Sequence, residues 1–234
     1  MLLLVTDTSG KNGTVALARA GEPGLHGTDV TDREAGQVIE VVPLAGGMFS
    51  AQLVPQIAAL LSRHSFSKTD IDGFIVVSGP GSFTGLRVGL AAIKALAEIL
   101  KKPIVPVSLL EVVAAAARTQ GKVVAVLDGG RGEVFFGGYE VAGESVRVLR
   151  EELLSKADFL SASLGSTVAT CDPTLAESAR EAGLPVVAVE FPTAAMIAKF
   201  GWKKLQAGGT VSPEQLEANY MRRSDAEMFV KKSS

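Results

Sequence analysis

Cysteine, histidine and long apolar runs are scarce in this sequence, and each scarcity excludes a class of protein. One cysteine, Cys171, among 234 residues rules out an internal disulfide and suits a reducing compartment such as the cytoplasm. With no histidine nearby in the sequence, Cys171 reads as a buried structural thiol rather than a nucleophile. The two histidines, His26 and His64, stand far apart, and neither has a second histidine or a cysteine at ligand spacing. No apolar run approaches the roughly 20 residues that a membrane-spanning helix needs. The opening MLLLVTDTSG is apolar, but it has no basic residues in front and Asp7 cuts it short, so it reads as a buried first strand rather than a signal peptide. Charge is nearly balanced: the formal net charge is −2 and the pI about 5.8, without the basic face by which a protein grips nucleic acid alone. The basic residues Arg222, Arg223, Lys231 and Lys232 fall in the short segment YMRRSDAEMFVKKSS, which reads as a solvated tail with at most an auxiliary contact to RNA.

Apolar runs of four to six residues alternate with longer segments of helical period, the pattern of an α/β protein. Leu2–Val5 and Thr14–Ala18 flank the turn SGKNG, where positive φ is easy, and together predict a hairpin. The stretch from Val30 to Val42 is ambiguous and can hold another strand. From Ser50 to about Arg63, the spacing of Leu53, Ile57, Leu60 and Leu61 predicts an amphipathic helix, with Ser50 as N-cap and Pro55 in the tolerant first turn. Strands are expected at Phe74–Val77, Ile104–Val107 and Val123–Leu127, and helices up to Leu100 and over Leu109–Arg118. Lys101 and Lys102 complement the negative end of the first of these helices, and Pro103 stops it. Beyond Tyr139 the pattern weakens: helices are expected over Leu153–Leu164 and Thr193–Gln206, and short strands over Val168–Thr170 and Val186–Val189.

The segments VTDTSGKNGTVALA and VLDGGRGEVFFGGY repeat one plan: an apolar strand, an aspartate, a glycine turn and a second strand. The aspartates are Asp7 and Asp128. The repeat predicts two duplicated lobes, 1–104 and 105–234, with the boundary near Lys102–Ser108.

Between the strand at Phe74 and the helix that follows lies GPGSFTGLRVG, Gly79 to Gly89. A strand, a glycine loop and a helix start can hold a phosphate on free backbone N–H groups. The spacing of Gly79, Gly81 and Gly85 misses GxGxxG by one, however, and the lysine of a P-loop is absent. Alternatively Gly81, Gly85 and Gly89, each four apart, form a strip without side chains. A neighbouring element of the same chain or of a partner can come close there. Ser82 stands in no GxSxG and has no histidine to activate it, which leaves no hydrolase nucleophile. Asp7 and Asp128, with Thr8, can hold a magnesium nucleotide between the lobes, or merely satisfy the N–H groups of their turns.

The order DTS…GTVAL, L-V-P on a helix, GPGSFTGLRVG, P-V-S-L, LDGGRGEVFF and ANYMRRSDAE resembles the TsaB family, also called YeaZ, from Leu4 to Glu227. The resemblance implies a fold of the actin/Hsp70/sugar-kinase type, duplicated, with the second lobe reduced. It implies a non-catalytic dimerisation subunit that binds a larger paralogue, TsaD, which carries the transferase site for N6-threonylcarbamoylation of adenosine 37 in certain tRNAs. It further implies a larger complex with the TsaE ATPase, a homodimer when alone, contact with tRNA only through partners, no membrane, no cofactor and no metal of its own. The paralogue binds metal through His-x-x-x-His, and laid over this chain that pair falls on Leu109 and Val113. Family members commonly have a histidine where Phe49 stands. By the resemblance, the partner site comprises Leu53, Ile57, Leu60 and Leu61 on one helix and Gly81, Ser82, Phe83, Thr84, Gly85, Arg87, Val88 and Gly89 on the next. The rival expectation is an ATPase or phosphotransferase of the same fold, using Asp7, Thr8 and Asp128.

Overall fold

A computed structural model describes residues 1–21 and 36–221. His26, the first part of the ambiguous stretch from Val30, and the basic residues Arg222, Arg223, Lys231 and Lys232 lie outside these.

The chain forms two compact units. The first joins Met1–Ser108 to Thr193–Asn219, and the second is built on Leu109–Pro192. The first contains β1 (Leu2–Asp7), β2 (Gly13–Arg19), β3 (Gln37–Leu44), α1 (Phe49–Arg63), β4 (Gly73–Gly79), α2 (Phe83–Leu100) and β5 (Ile104–Ser108). Its sheet runs β3-β2-β1-β4-β5, with the first three strands antiparallel and β1, β4 and β5 parallel. After α3 (Leu109–Ala116), the second unit repeats the plan with β6 (Gly121–Gly130), β7 (Glu133–Ala142), β8 (Ser145–Ser155), α4 (Lys156–Ala162), β9 (Thr167–Thr170), α5 (Pro173–Glu181) and β10 (Val186–Ala188). The sheet order β10-β9-β6-β7-β8 is the first sheet's order in mirror listing, with the same senses of pairing. The duplication read from two hairpins therefore extends to every strand.

The third helix of each repeat does not stay with its own strands. α3 follows β5 in sequence but packs on β6–β9, and α6 (Ala194–Gln206) follows β10 but packs on β1–β5. The expected line at 104/105 thus misplaces two elements: β5 is an edge strand of the first sheet, and α6 returns to that sheet from the far end of the chain.

Alternation along the strands sorts the cores. In the first unit Leu2, Leu4, Phe74 and Val76 pack with Leu53, Leu60, Leu86 and Ile93, so α1 and α2 cover one face. On the other face Gly201 of α6 lies against Ile75, where a Cβ would stand 2.6 Å from Cγ2. In the second unit Val124, Val126, Val134 and Phe136 pack with Phe159 of α4 and Leu175 and Ala179 of α5.

The local details depart from expectation in three places. The N-cap of α1 is Met48, without a side-chain cap bond, rather than Ser50; Gln52 instead reaches back to accept from the Ala45 amide at 2.9 Å. The helix expected over Leu153–Leu164 begins later, because β8 continues to Ser155 and α4 occupies Lys156–Ala162. The helix α5, capped by the Asp172 carboxylate with Pro173 at its start, was not expected. Among the described residues no helix is long and apolar enough to cross a membrane.

Candidate functional site

Both rival sites meet where β1 ends and α2 begins. Ser82 caps α2, and its Oγ accepts from the Gly85 amide at 3.3 Å. The Ser82 amide is taken by the carbonyl of Ser9 at 2.6 Å, and the Thr8 hydroxyl donates to the Gly85 carbonyl at 2.8 Å. The turn after β1 therefore sits on the first turn of α2, using donors that a phosphate would need.

The glycine strip explains how the two come so close. A Cβ on Gly81 would stand 2.3 Å from the Ser9 carbonyl oxygen, one on Gly85 2.1 Å from that of Thr8, and one on Gly89 2.2 Å from Thr8 Oγ1. All three glycines admit the chain's own turn; Gly85 and Gly89 are buried against it, and Gly81 stays exposed. Phe49 is wedged beside the same seat. Its ring lies 2.9 Å from a Cβ built on Gly13 and 3.2 Å from one built on Gly85.

The α1 stripe, expected to face a partner, likewise turns inward. Leu53, Ile57, Leu60 and Leu61 are all buried in the core of the first unit, Leu60 completely. The side of α1 that meets solvent carries Ala51, Val54, Pro55, Ala58 and Ala59, with Val54 54% exposed. α1 packs beside α2, whose outer side carries Thr84, Arg87, Ala91 and Ala95, with half-buried Val88 and Ala92. Arg87 stacks its guanidinium 3.7 Å from the centre of the Phe83 ring. Of the expected partner residues, Thr84, Arg87 and Val88 belong to this outer face. Val54, Pro55, Ala58, Ala59, Ala91 and Ala95 were missed. The sequence signal for them is the absence of any charged residue from Phe49 to Ser62, since an ordinary surface helix carries charge on its outer side.

The nucleotide residues do not form a matched pair. Asp7 shares its face of β1 with Leu3 and Val5, the face covered by α6. Burial pushes its pKa up, and hydrogen bonds from the Ser9 hydroxyl and amide pull the other way. Asp128 shares its face of β6 with Val124 and Val126, the side of α4, where Lys156 lies 3.8 Å away. In the first unit that face belongs to Thr6. The two aspartates thus project from opposite faces of equivalent strands. Among the described residues no three His, Cys, Asp or Glu side chains gather as metal ligands would. Leu109 and Val113 are buried apolar residues of α3.

Two sheets with one repeated strand order and exchanged third helices define an actin/Hsp70/sugar-kinase-like protein, here with short helices in the second lobe. A solved structure titled YeaZ from Pseudomonas aeruginosa shares the fold, at a TM-score of 0.66 and 23% identity over 93% of this chain and 100% of that one. The family model described as TsaD, tRNA N6-adenosine threonylcarbamoyltransferase, matches residues 41–224. A Bacillus subtilis protein named tRNA threonylcarbamoyladenosine biosynthesis protein TsaB is 32% identical over 130 residues, 55% of this chain. The match spans 57% of that relative, less than two thirds of its length. The Escherichia coli protein of the same name is 27% identical over 238 residues, 97% of this chain and 96% of its own. The chain belongs to the TsaB/YeaZ family, within the superfamily that the TsaD model describes.

Proposed function

We propose that this chain is a non-catalytic subunit in the formation of threonylcarbamoyladenosine at position 37 of tRNA, and that it docks onto the TsaD transferase subunit. The observation that carries this reading is the outer face of α1 and α2, largely apolar, small-sided and without charge along α1 from Phe49 to Ser62. Contiguous surfaces of that kind mark protein contacts. The surface commits to helices of a partner, with Arg87 held on Phe83 at one end to meet an acidic group. Alone, the same face closes on a second copy; in the assembled system TsaE joins, and tRNA is met through the partners. Leu109 and Val113, in place of a histidine pair, support the assignment of metal binding and transfer to TsaD. The turn filled by Thr8 and Ser9 and the opposed faces of Asp7 and Asp128 weigh against the nucleotide-hydrolysing alternative.

The test uses Ala58→Glu and Ala91→Glu, which alter the outer face and leave the core intact. A substitution such as Leu60→Asp is unsuited, because it buries a carboxylate in the core and unfolds the subunit. Sedimentation of each variant, alone and with cognate TsaD, with and without Mg–ATP, reads the outcome. Expected are unchanged melting temperatures and a loss of about 2 kcal/mol or more in TsaD binding. Full assembly of both variants, or a wild-type chain that ignores TsaD and binds Mg–ATP alone, overturns the proposal.

A further inference from the structure

Asp7 closes β1, and its Oδ1 receives both the amide of Ser9, at 2.9 Å, and the Ser9 hydroxyl, at 2.6 Å. This fork holds the Thr8–Ser9 turn in one shape. In that shape the turn touches α2 three ways: through the Ser9 carbonyl on the Ser82 amide, through the Thr8 hydroxyl on the Gly85 carbonyl, and through backbone laid on Gly81 and Gly85. Thr8 and Ser9 are themselves buried, at 2% and 3% exposure, so the turn has no slack into solvent. A shift of the turn must therefore shift the first turn of α2, where the stacked Phe83–Arg87 pair begins the outer face.

We propose that Asp7 is a positioning residue: its carboxylate, through Ser9, sets the seat of the α2 N-terminus and with it the geometry of the α1–α2 docking face. The effect on binding rests on the docking reading given above; the seat itself does not. The chemistry asked of Asp7 is that of a hydrogen-bond acceptor, with no negative charge required. Asparagine keeps the accepting Oδ1 and alanine removes it, so Asp7→Asn preserves the seat and Asp7→Ala releases it.

The experiment is amide hydrogen exchange, followed by NMR on the full chain. In Asp7→Ala, protection at Ser82 and Gly85 falls by about tenfold, the scale of one buried hydrogen bond lost. The β4 amides of Ile75 and Val76 hold theirs, and Asp7→Asn protects Ser82 and Gly85 at least as well as wild type. Unchanged protection at Ser82 and Gly85 in Asp7→Ala, or an equal loss in Asp7→Asn, overturns the proposal. If Asp7→Ala does not fold, Ser9→Ala removes one arm of the fork and is read at the same two amides with the same criteria. TsaD affinity is measured alongside. A loosened seat with a parallel, roughly tenfold weaker affinity supports both readings. A loosened seat with unchanged affinity upholds the seat and overturns the docking face.

Discussion

Gly85→Ala tests which way the glycine strip faces, because the two readings differ in sign. If the strip faced a partner, the isolated chain would gain from the change, since alanine exceeds glycine by about 0.8–1.0 kcal/mol in a helix interior. The structure assigns position 85 to the Thr8 turn instead. The new Cβ would stand 2.1 Å from the Thr8 carbonyl oxygen, more than an ångström inside the 3.4–4 Å of ordinary contact, and 3.2 Å from the Phe49 ring. The carbonyl cannot step aside cheaply. Asp7 is laddered to Thr14, and the Thr8 hydroxyl is bonded to the same residue 85. Overpacking of this kind costs about 1–3 kcal/mol, occasionally more. A 2.1 Å clash with backbone stands at the upper end of that range, about 2–3 kcal/mol, so after the helix gain of about 1 kcal/mol Gly85→Ala is expected to lose about 1–2 kcal/mol in the chain alone. Urea denaturation reads this as a lower midpoint at unchanged slope. A companion cycle separates backbone from side chain. The Gly89 Cβ would meet Thr8 Oγ1 at 2.2 Å, so Thr8→Ala should rescue Gly89→Ala and leave Gly85→Ala unrescued. A Gly85→Ala chain as stable as wild type, or more so, refutes the reasoning and returns the strip to a partner.

Two further outcomes are expected. Asp7 has a folded pKa above its ordinary 3.8, so the folded chain binds more protons than the unfolded one above that pH, and stability declines as pH rises toward the folded value. Asp7→Asn lacks this term and should gain on wild type steadily above about pH 4, as read by urea midpoints across pH. Parallel profiles for the two proteins refute it. The Thr6 hydroxyl is buried beneath α1 and α2 without a hydrogen-bond partner among the described residues. Thr6→Val should therefore stabilise the chain by about 1 kcal/mol, and a loss of that size in thermal unfolding counts against it.

How much of this was legible beforehand depended on whether local chemistry and tertiary contact agreed. The first hairpin was legible because SGKNG supplies the turn and both strands are apolar on both faces. The segment SVRVLREELLS was not. Its Leu, Glu and Arg residues favour a helix, and its alternation breaks at a register shift opposite Gly138/Tyr139, so pairing with β7 overrode propensity there. For α1, periodicity correctly grouped Leu53, Ile57, Leu60 and Leu61 on one face but carried no information on what that face meets. The core claimed it, and the docking face emerged on the side the periodicity had left as background. The glycines of α2 had the same ambiguity, since spacing records a close approach without naming the visitor. Asp7 and Asp128 looked equivalent because both follow an apolar strand. A one-residue difference in phase, invisible without the pairing register, sends them to opposite faces.

The exchange of α6 for α3 makes the first lobe a product of both ends of the chain. Until residues near 194–219 have left the ribosome, one face of the β1–β5 sheet, including Ile75, lacks its cover, and the place of Leu216 in the other core stands empty. The N-terminal lobe is therefore completed only after the strands of the second lobe have been made, although it is begun first. A fragment ending at Ser108 would expose a sheet face of the kind that seeks other chains, whereas the strands of the second lobe already have α3 ahead of them. Synthesis order and assembly order run opposite in this protein. The surface proposed for docking is backed by its complete core only once residues near 194–219 have been made, which delays its encounter with a partner.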